Sequence, residues 1–467
     1  MTEVPLTTTT TKGLHPGLTR RQISMMGLGG AIGAGLFVGS GQAIGIAGPA
    51  VLISYLVAGT VVILVMAMLA EMVAARPSSG AFSSFAQRAM GRSAGSAVGW
   101  LYWIQLVVVI AAEATGAAGI VEGWVPGVPA WIWVLVFVTA LAAVNLFGVR
   151  NYGRFEFWFA AIKVFAIIAF LIVGVCAILG LIPGVAATGV HNLVAHGGFA
   201  PHGITGVAAA LLIVVFAFGG TEVVAIAAAE SDDPAHNIRR IVREVMVRIL
   251  VFYLGSIFVI VAVLPWNSPE VLDGPFSAVL ATLRVPGVEL VMSLIVVMAL
   301  LSAMNANIYG ASRMIYSLGE RGLAPRASVR TSEHGVPSVA VLASVAFGFV
   351  TVGLNWAFPE VVLGLLLNVV GSSVLVIWTA TALAQIILRR RAERDGETLP
   401  MRMWGFPWLS VLCLLLLAGI MTLAMSDPTA RTQLLLTFGL TALLLIAARV
   451  SARRSSATTR GGSASAQ

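Results

Sequence analysis

The residues able to do chemistry are few, because only 10% of this chain is charged. Lys163 stands inside FEFWFAAIKVFAIIAF, Phe155–Phe170, where its neighbours are almost all apolar. It lies about 8 residues into that run, a depth of roughly 12 Å at 1.5 Å per residue. An ammonium so far in cannot easily snorkel to water, and charges within lipid are rare unless paired or functional. Two readings stay open: a group that exchanges a proton, or one half of a static salt bridge. Glu113, in the apolar run 98–121, is a candidate partner, although by counting it lies deeper than Lys163. Glu222 closes the segment FAFGGTE, Phe216–Glu222. It can satisfy the dipole of a helix that begins there, or sense a proton, and the two roles are compatible. Glu71 and Glu230 sit at the ends of apolar runs and read as interfacial structural acids.

Two glycine clusters give these groups a setting. GLGGAIGAG, Gly27–Gly35, holds five glycines in nine residues, each costing a helix about 1 kcal/mol relative to alanine. Close helix packing explains two or three of them but not a Gly-Gly pair followed by GxG. An unwound stretch is the expectation. Gly219-Gly220 repeats the feature, with Thr221 placed to cap a fresh helix start. A broken helix exposes amides that hold anions and carbonyls that hold cations. A zwitterion such as an amino acid needs both.

The elements that must position these groups follow from composition. The chain has 467 residues, 58% of them apolar, and a mean hydropathy of +0.96. Twelve membrane helices of about 20 residues need roughly 240 apolar positions, which this chain can supply. Apolar runs of spanning length cover 23–47, 50–74, 98–121, 129–147, 157–181, 204–229, 245–265, 288–316, 339–358, 361–388, 407–425 and 434–450. These must be helices, since lipid leaves no backbone group unsatisfied. Of 28 Lys and Arg, only Arg284, Arg431 and Lys163 fall away from one side when twelve helices are threaded, so both termini are expected in the cytoplasm. The basic residues lie between runs rather than on one face, which argues against a nucleic-acid partner despite the net charge of +8.

The first twenty residues lack the features of a cleaved signal, so the N-terminus is expected to be retained. Residues 1–22 and 451–467 read as solvated, disordered tails. Cys176 and Cys413 lie within apolar runs and imply neither disulfides nor a metal cluster. His191, His196 and His202 share one loop without a Cys or carboxylate among them, so no metal site is expected. Asn305 and Asn307 either face a pathway or bridge helices, bridging being the simpler role. No GxxxxGK[ST] is present, so ATP is not the expected energy source.

The broken segments are the first and sixth runs, as expected if each heads one half of a five-plus-five inverted repeat. Here a family resemblance enters. GGAIGAGLF (Gly29–Phe37), FEFWFAAIKVFAIIAF (Phe155–Phe170), FAFGGTEVVAIAAAES (Phe216–Ser231), RILVFYLGSIFVIVAVLPWN (Arg248–Asn267) and SRMIYSLGERGLAP (Ser312–Pro325) resemble the amino acid–polyamine–organocation superfamily, in its amino acid transporter family near the γ-aminobutyrate (GABA) permease branch. The resemblance covers residues 20 to about 390. It implies an all-α membrane protein of twelve helices, with a LeuT-like core whose helices 1 and 6 are broken and two further helices outside it. The repeats would be 23–183 and 204–390, joined by an outer loop 184–203, with the remaining helices in 391–450. The resemblance also implies that the amides of Gly33, Ala34 and Gly35 hold a substrate carboxylate. The Ala31 carbonyl and carbonyls near Phe216 and Gly219 would hold its amino group, with Phe216 as an aromatic lid. In relatives a lysine at the position of Lys163 replaces a bound sodium ion, which implies proton coupling. Ala34 departs from the Ser or Thr of many members but keeps its amide, and Arg239-Arg240 departs from Ile-Pro.

The function expected is therefore a proton-coupled amino acid permease, importing GABA or another small amino acid. Its energy source is the proton gradient, without a cofactor, and its partners are the amino acid, protons and membrane lipid. An exchanger of the same fold is the alternative. A nutrient sensor would need a large extension, and a membrane enzyme would need a catalytic motif such as HExxH or GxSxG within the runs. Oligomeric state is not readable.

Overall fold

The computed structural model describes residues 32–78, 80–147, 152–184, 186–221, 234–282, 287–332 and 336–464. Every regular element among them is a helix. The main helices are α1 (Ala34–Phe37), α2 (Gly39–Ala47), α3 (Val51–Ala75), α4 (Ala81–Met90) and α5 (Arg92–Trp124). They continue with α6 (Ala130–Phe147), α7 (Tyr152–Ile178), α8 (Gly203–Phe218), α9 (Pro234–Val263) and α10 (Val288–Glu320). The last four are α11 (Ser338–Ala357), α12 (Pro359–Arg394), α13 (Trp408–Ala424) and α14 (Pro428–Ala464). Among the described residues, eight helical stretches are long and apolar enough to cross a membrane. Three more, in α6, α8 and α13, are apolar but shorter. One of the eight, Gly39–Ala75, contains both α2 and α3. Gly48 divides them at φ 62°, a left-handed conformation that glycine adopts without strain, and Pro49 follows.

Surface chemistry agrees with a lipid surround. On α7, Trp158, Phe165 and Ile172 are exposed and recur every seventh residue, with Leu179 continuing the stripe just past its end, while Lys163, Ile167 and Phe170 on the other face are buried. In water such a stripe would be an aggregation hazard; in a bilayer it is the outer wall. α5 is the most enclosed span, with 83% of its apolar window buried, and α14 the least, with 11%. The bundle is therefore organised around α5, which packs along α10 and α12 and also meets α4, α6 and α11.

Helix ends depart from the sequence expectation in three places. α9 starts at Pro234 rather than near 245, so Arg239, Arg240 and Arg243 are helical. α12 continues past 388 to Arg394, and α14 runs through Ala464, where a disordered tail was expected from 451. Hydropathy records where a helix meets lipid, and polar turns beyond that depth leave no apolar signature.

The two half-helices α1–α2 and α8 lie antiparallel. A Cβ added to Gly35 would press on the Ala217 backbone, 3.1 Å from its nitrogen. One added to Gly206 would lie 2.9 Å from the Ile46 carbonyl. The start of α1 thus meets the end of α8, and the end of α2 meets its start. α12 closes the far side of α8, where Gly371 touches the Leu212 carbonyl.

The two ends of the bundle differ. At one, arginines bind the amphipathic α4 to its neighbours. Arg321 donates to Ser83 Oγ at 2.9 Å, and Arg391 donates to the carbonyls of Arg88 and Ala89 at 2.9 Å each. Burial pulls the Arg321 guanidinium below its ordinary pKa. Glu71 is buried there and accepts from Gln385, Arg389 and the Met403 amide. At the other end the short helices Pro269–Asp273 and Pro275–Ala281 press on α1 and α2. Phe276 packs against Phe37 at 4.9 Å and Phe170 at 4.6 Å between ring centroids. His202 lies at this end with its ring nitrogen 2.7 Å from the Ile46 carbonyl and its ring edge-on to Trp266.

Candidate functional site

The site is built where α1 begins and α8 ends. Gly33 is extended, at φ −144° and ψ −147°, and Ala34 opens the helix. The first amides of a helix have no partner within it, so they must find one outside. Ala34 finds Glu113: its N–H donates to Glu113 Oε2 at 2.9 Å. The other carboxylate oxygen lies over Gly33, where an added Cβ would sit 2.9 Å from Glu113 Cδ and 3.0 Å from Ala303 Cβ. Glycine is the residue that leaves room for the carboxylate. α8 stops at Phe218; Gly219 is extended and Gly220 turns the chain at φ 88°.

Glu113 is buried on α5, and Lys163 is fully buried on the inner face of α7. The Lys163 ammonium acts electrostatically on Glu113, and Glu113 acts on Tyr253 of α9. Tyr253 in turn faces Tyr55 of α3, and both rings pack on Phe218, at 5.0 and 5.9 Å between centroids. Four helices therefore converge on the head of α1 with a carboxylate, an ammonium and two phenols. Groups packed this closely can exchange a proton or trade one anion for another.

Of the residues expected from the sequence, Gly33, Ala34, Glu113 and Lys163 are brought together. Gly35 lies in close contact with the Ala217 backbone. Phe216 is buried, and its carbonyl accepts the Gly219 N–H at 2.8 Å. Ala31 and Glu222 lie outside the described residues, as does Glu230.

A family model described as amino acid permease matches residues 22–459. The chain belongs to the amino acid permease family. The permease is 50% identical over 426 residues to the aromatic amino acid transport protein AroP of Corynebacterium glutamicum, covering 90% of this chain and 92% of that one. It is 42% identical over 443 residues to the γ-aminobutyric acid permease of Bacillus subtilis, covering 95% and 94%. These relatives place it in the amino acid–polyamine–organocation superfamily near the GABA permease branch. Among solved structures, a mutant manganese transporter of Eremococcus coleocola shares the fold, with a TM-score of 0.58 at 16% identity over 93% of this chain and 94% of that one. The permease is thus an all-α, multi-pass membrane transporter of amino acids.

Sequence reasoning missed Tyr253 and Tyr55 as members of the site. A signal existed: the permease has only 6 tyrosines, and a phenol inside an apolar run needs a polar partner. Asn305 bridges helices, accepting from Asn145 of α6 at 2.7 Å, while Asn307 donates to the Ala303 carbonyl of its own helix at 2.8 Å. Glu71 serves its buried network at the arginine-rich end.

Proposed function

We propose that this permease is a proton-coupled importer that carries an aromatic amino acid by alternating access. One contact carries the reading: the Ala34 N–H at the head of α1 is bonded to Glu113, with Lys163 in electrostatic reach. A substrate carboxylate needs that same amide. A neutral acid accepts a hydrogen bond more weakly than a carboxylate, so protonation of Glu113 frees the amide and lets the substrate carboxylate take its place. Proton and substrate then load together. Lys163 is the group that relays the proton on the α7 side. The substrate's ammonium goes to the carbonyls at the end of α8, where the Phe216 oxygen keeps a lone pair beside its bond from Gly219. Ala31 and Glu222 complete the site in this proposal, and Phe216 closes over it. The gradient supplies the energy, without a cofactor or a catalytic step.

The layout belongs to the same proposal. Counting α2 and α3 separately and adding the shorter apolar helices gives twelve spans, in two inverted repeats followed by α13 and α14. The antiparallel pairing of α1–α2 with α8 supports the repeat. The arginine-rich end is cytoplasmic, which puts both termini inside. The segments Pro269–Asp273 and Pro275–Ala281 then close the outer path and must lift when substrate enters from outside. The aromatic substrate rests on the 50% identical relative; GABA is the second reading, from the relative at 42%.

The test is uptake into proteoliposomes with an acidic exterior, using radiolabelled phenylalanine and GABA in parallel. Accumulation into empty vesicles that collapses with a protonophore is the expected result. Uptake confined to vesicles preloaded with amino acid would make the protein an exchanger, and no uptake of either probe would overturn the reading.

A further inference from the structure

A second polar region lies far from the α1 site, at the arginine-rich end. A cleft of about 280 Å³ opens between the ends of α3 and α12, with α4 and the segment after α12 as its other walls. Four arginines line it, Arg76, Arg88, Arg389 and Arg391, against the acids Glu71, Asp395 and Glu397. The pairing within the cleft is uneven. Arg389 is consumed by Glu71 and Glu393, at 2.7 Å each. Asp395 is held from outside by Arg394 at 3.3 Å. Arg76 reaches Glu397 at 2.9 Å, but both side chains are about half exposed, and such a pair contributes little and rearranges readily.

Arg88 and Arg391 remain. Arg391 donates only to backbone carbonyls at the end of α4, and Arg88 donates to the Arg76 carbonyl at 3.3 Å while lying over the Phe85 ring. Among the described residues neither meets a carboxylate. Burial, and then the neighbouring Arg76, pull the Arg88 guanidinium below its ordinary pKa, a strain that an anion between them would relieve. The remaining lining, including Met72, Phe85, Leu388 and Leu399, is apolar.

We propose that this cleft binds a phosphate ester through Arg76, Arg88 and Arg391, and that the headgroup of an anionic phospholipid supplies it. Guanidinium forks match phosphate oxygens in geometry and charge. Basic pockets between membrane helices take up lipid headgroups for the same reason. The apolar lining favours a lipid over a free phosphate, since it can receive the glycerol and the upper acyl carbons. Because the walls are α3, α4 and α12, an occupant would tie these elements together.

The experiment measures binding to the purified full chain by native mass spectrometry, with phosphatidylglycerol, phosphatidylcholine and glycerol phosphate as probes. Phosphatidylglycerol should bind and phosphatidylcholine should not. Arg88→Gln should weaken phosphatidylglycerol about tenfold, the loss of one charge-assisted bond. Arg391 also caps α4, so Ala75→Glu serves as the second variant. It adds a carboxylate to the cleft wall without removing an arginine, and should abolish lipid binding in a folded protein. Glycerol phosphate binding without the lipid would keep the phosphate site and overturn the lipid as its occupant. Equal binding of phosphatidylglycerol and phosphatidylcholine, or unchanged affinity in both variants, would overturn the site itself.

Discussion

Ala34 donates its backbone N–H to Glu113 Oε2 across 2.9 Å, so the first amide of α1 is bonded to the protein's own carboxylate. Glu113→Gln keeps the shape of that acceptor and gives up its charge. A hydrogen bond to a charged group contributes about 1.5–3 kcal/mol and a neutral one about 0.5–1.5 kcal/mol. If the Glu113 carboxylate competes with substrate, the variant should bind amino acid about tenfold more tightly at alkaline pH, where the parent's acid is ionised. The pH response should also change. In the parent, protons loaded onto Glu113 release the amide, so affinity rises as pH falls; in the variant it should be flat. Equilibrium binding of labelled phenylalanine in detergent gives both quantities, and weaker binding in the variant would make Glu113 a partner of the substrate instead of its rival.

Lys163 is fully buried and acts on Glu113 from the opposite helix. Lys163→Gln should end accumulation driven by an acidic exterior while leaving exchange of labelled for unlabelled substrate. Exchange needs only a loaded carrier that can reorient, whereas accumulation needs the proton to cross with it. Undiminished accumulation by this variant would remove Lys163 from the coupling path.

Much of this was legible in the sequence, for reasons that also set the limits. The interruption at Gly219-Gly220 was visible because glycine pairs cost a membrane helix too much to be accidental. Glu113 was visible as one candidate partner for Lys163, because charges in lipid seek one another, but the sequence left the choice of partner open. That Glu113 also occupies the Ala34 amide was not visible: depth counted along separate helices says nothing of their rotation or tilt. Gly35 shows the same limit. A glycine can serve a close backbone approach as well as an amide site, and only the folded chain shows that Gly35 lies against Ala217. Tyr253 had no legible role in the apolar run Arg248–Asn267, since its partners lie on α3 and α5, far off in the chain.

The Gly35 contact can be tested by contrast with a glycine that has room. A Cβ at Gly35 would meet the Ala217 backbone, 3.0 Å from its Cβ and 3.1 Å from its nitrogen, whereas one at Gly119 of α5 meets nothing within 4 Å. Gly35→Ala should lower stability by about 1–3 kcal/mol, the usual cost of overpacking, and should stop uptake by separating α1 from α8. Gly119→Ala should stabilise by about 0.5–1 kcal/mol through helix propensity and leave uptake unchanged. Thermal unfolding of the two purified variants makes the comparison. Equal behaviour would mean that α1 and α8 can part without cost.

Two ion pairs at the arginine-rich end separate burial from geometry. Glu71 and Arg389 are both nearly inaccessible and 2.7 Å apart; Arg76 and Glu397 are 2.9 Å apart and about half exposed. Glu71→Gln leaves Arg389 buried with Glu393 as its remaining carboxylate and disturbs the bonds from Gln385 and Met403. A buried charge stripped of its partner costs about 3–5 kcal/mol; Arg389 keeps Glu393, so the loss should fall below that range and still lower the unfolding temperature clearly. Glu397→Gln should cost less than about 1 kcal/mol, because water screens the exposed pair and replaces its bonds. Scanning both variants by thermal unfolding in the same detergent decides the matter: losses of similar size would show that burial adds nothing to the Glu71–Arg389 pair that joins α3 to α12.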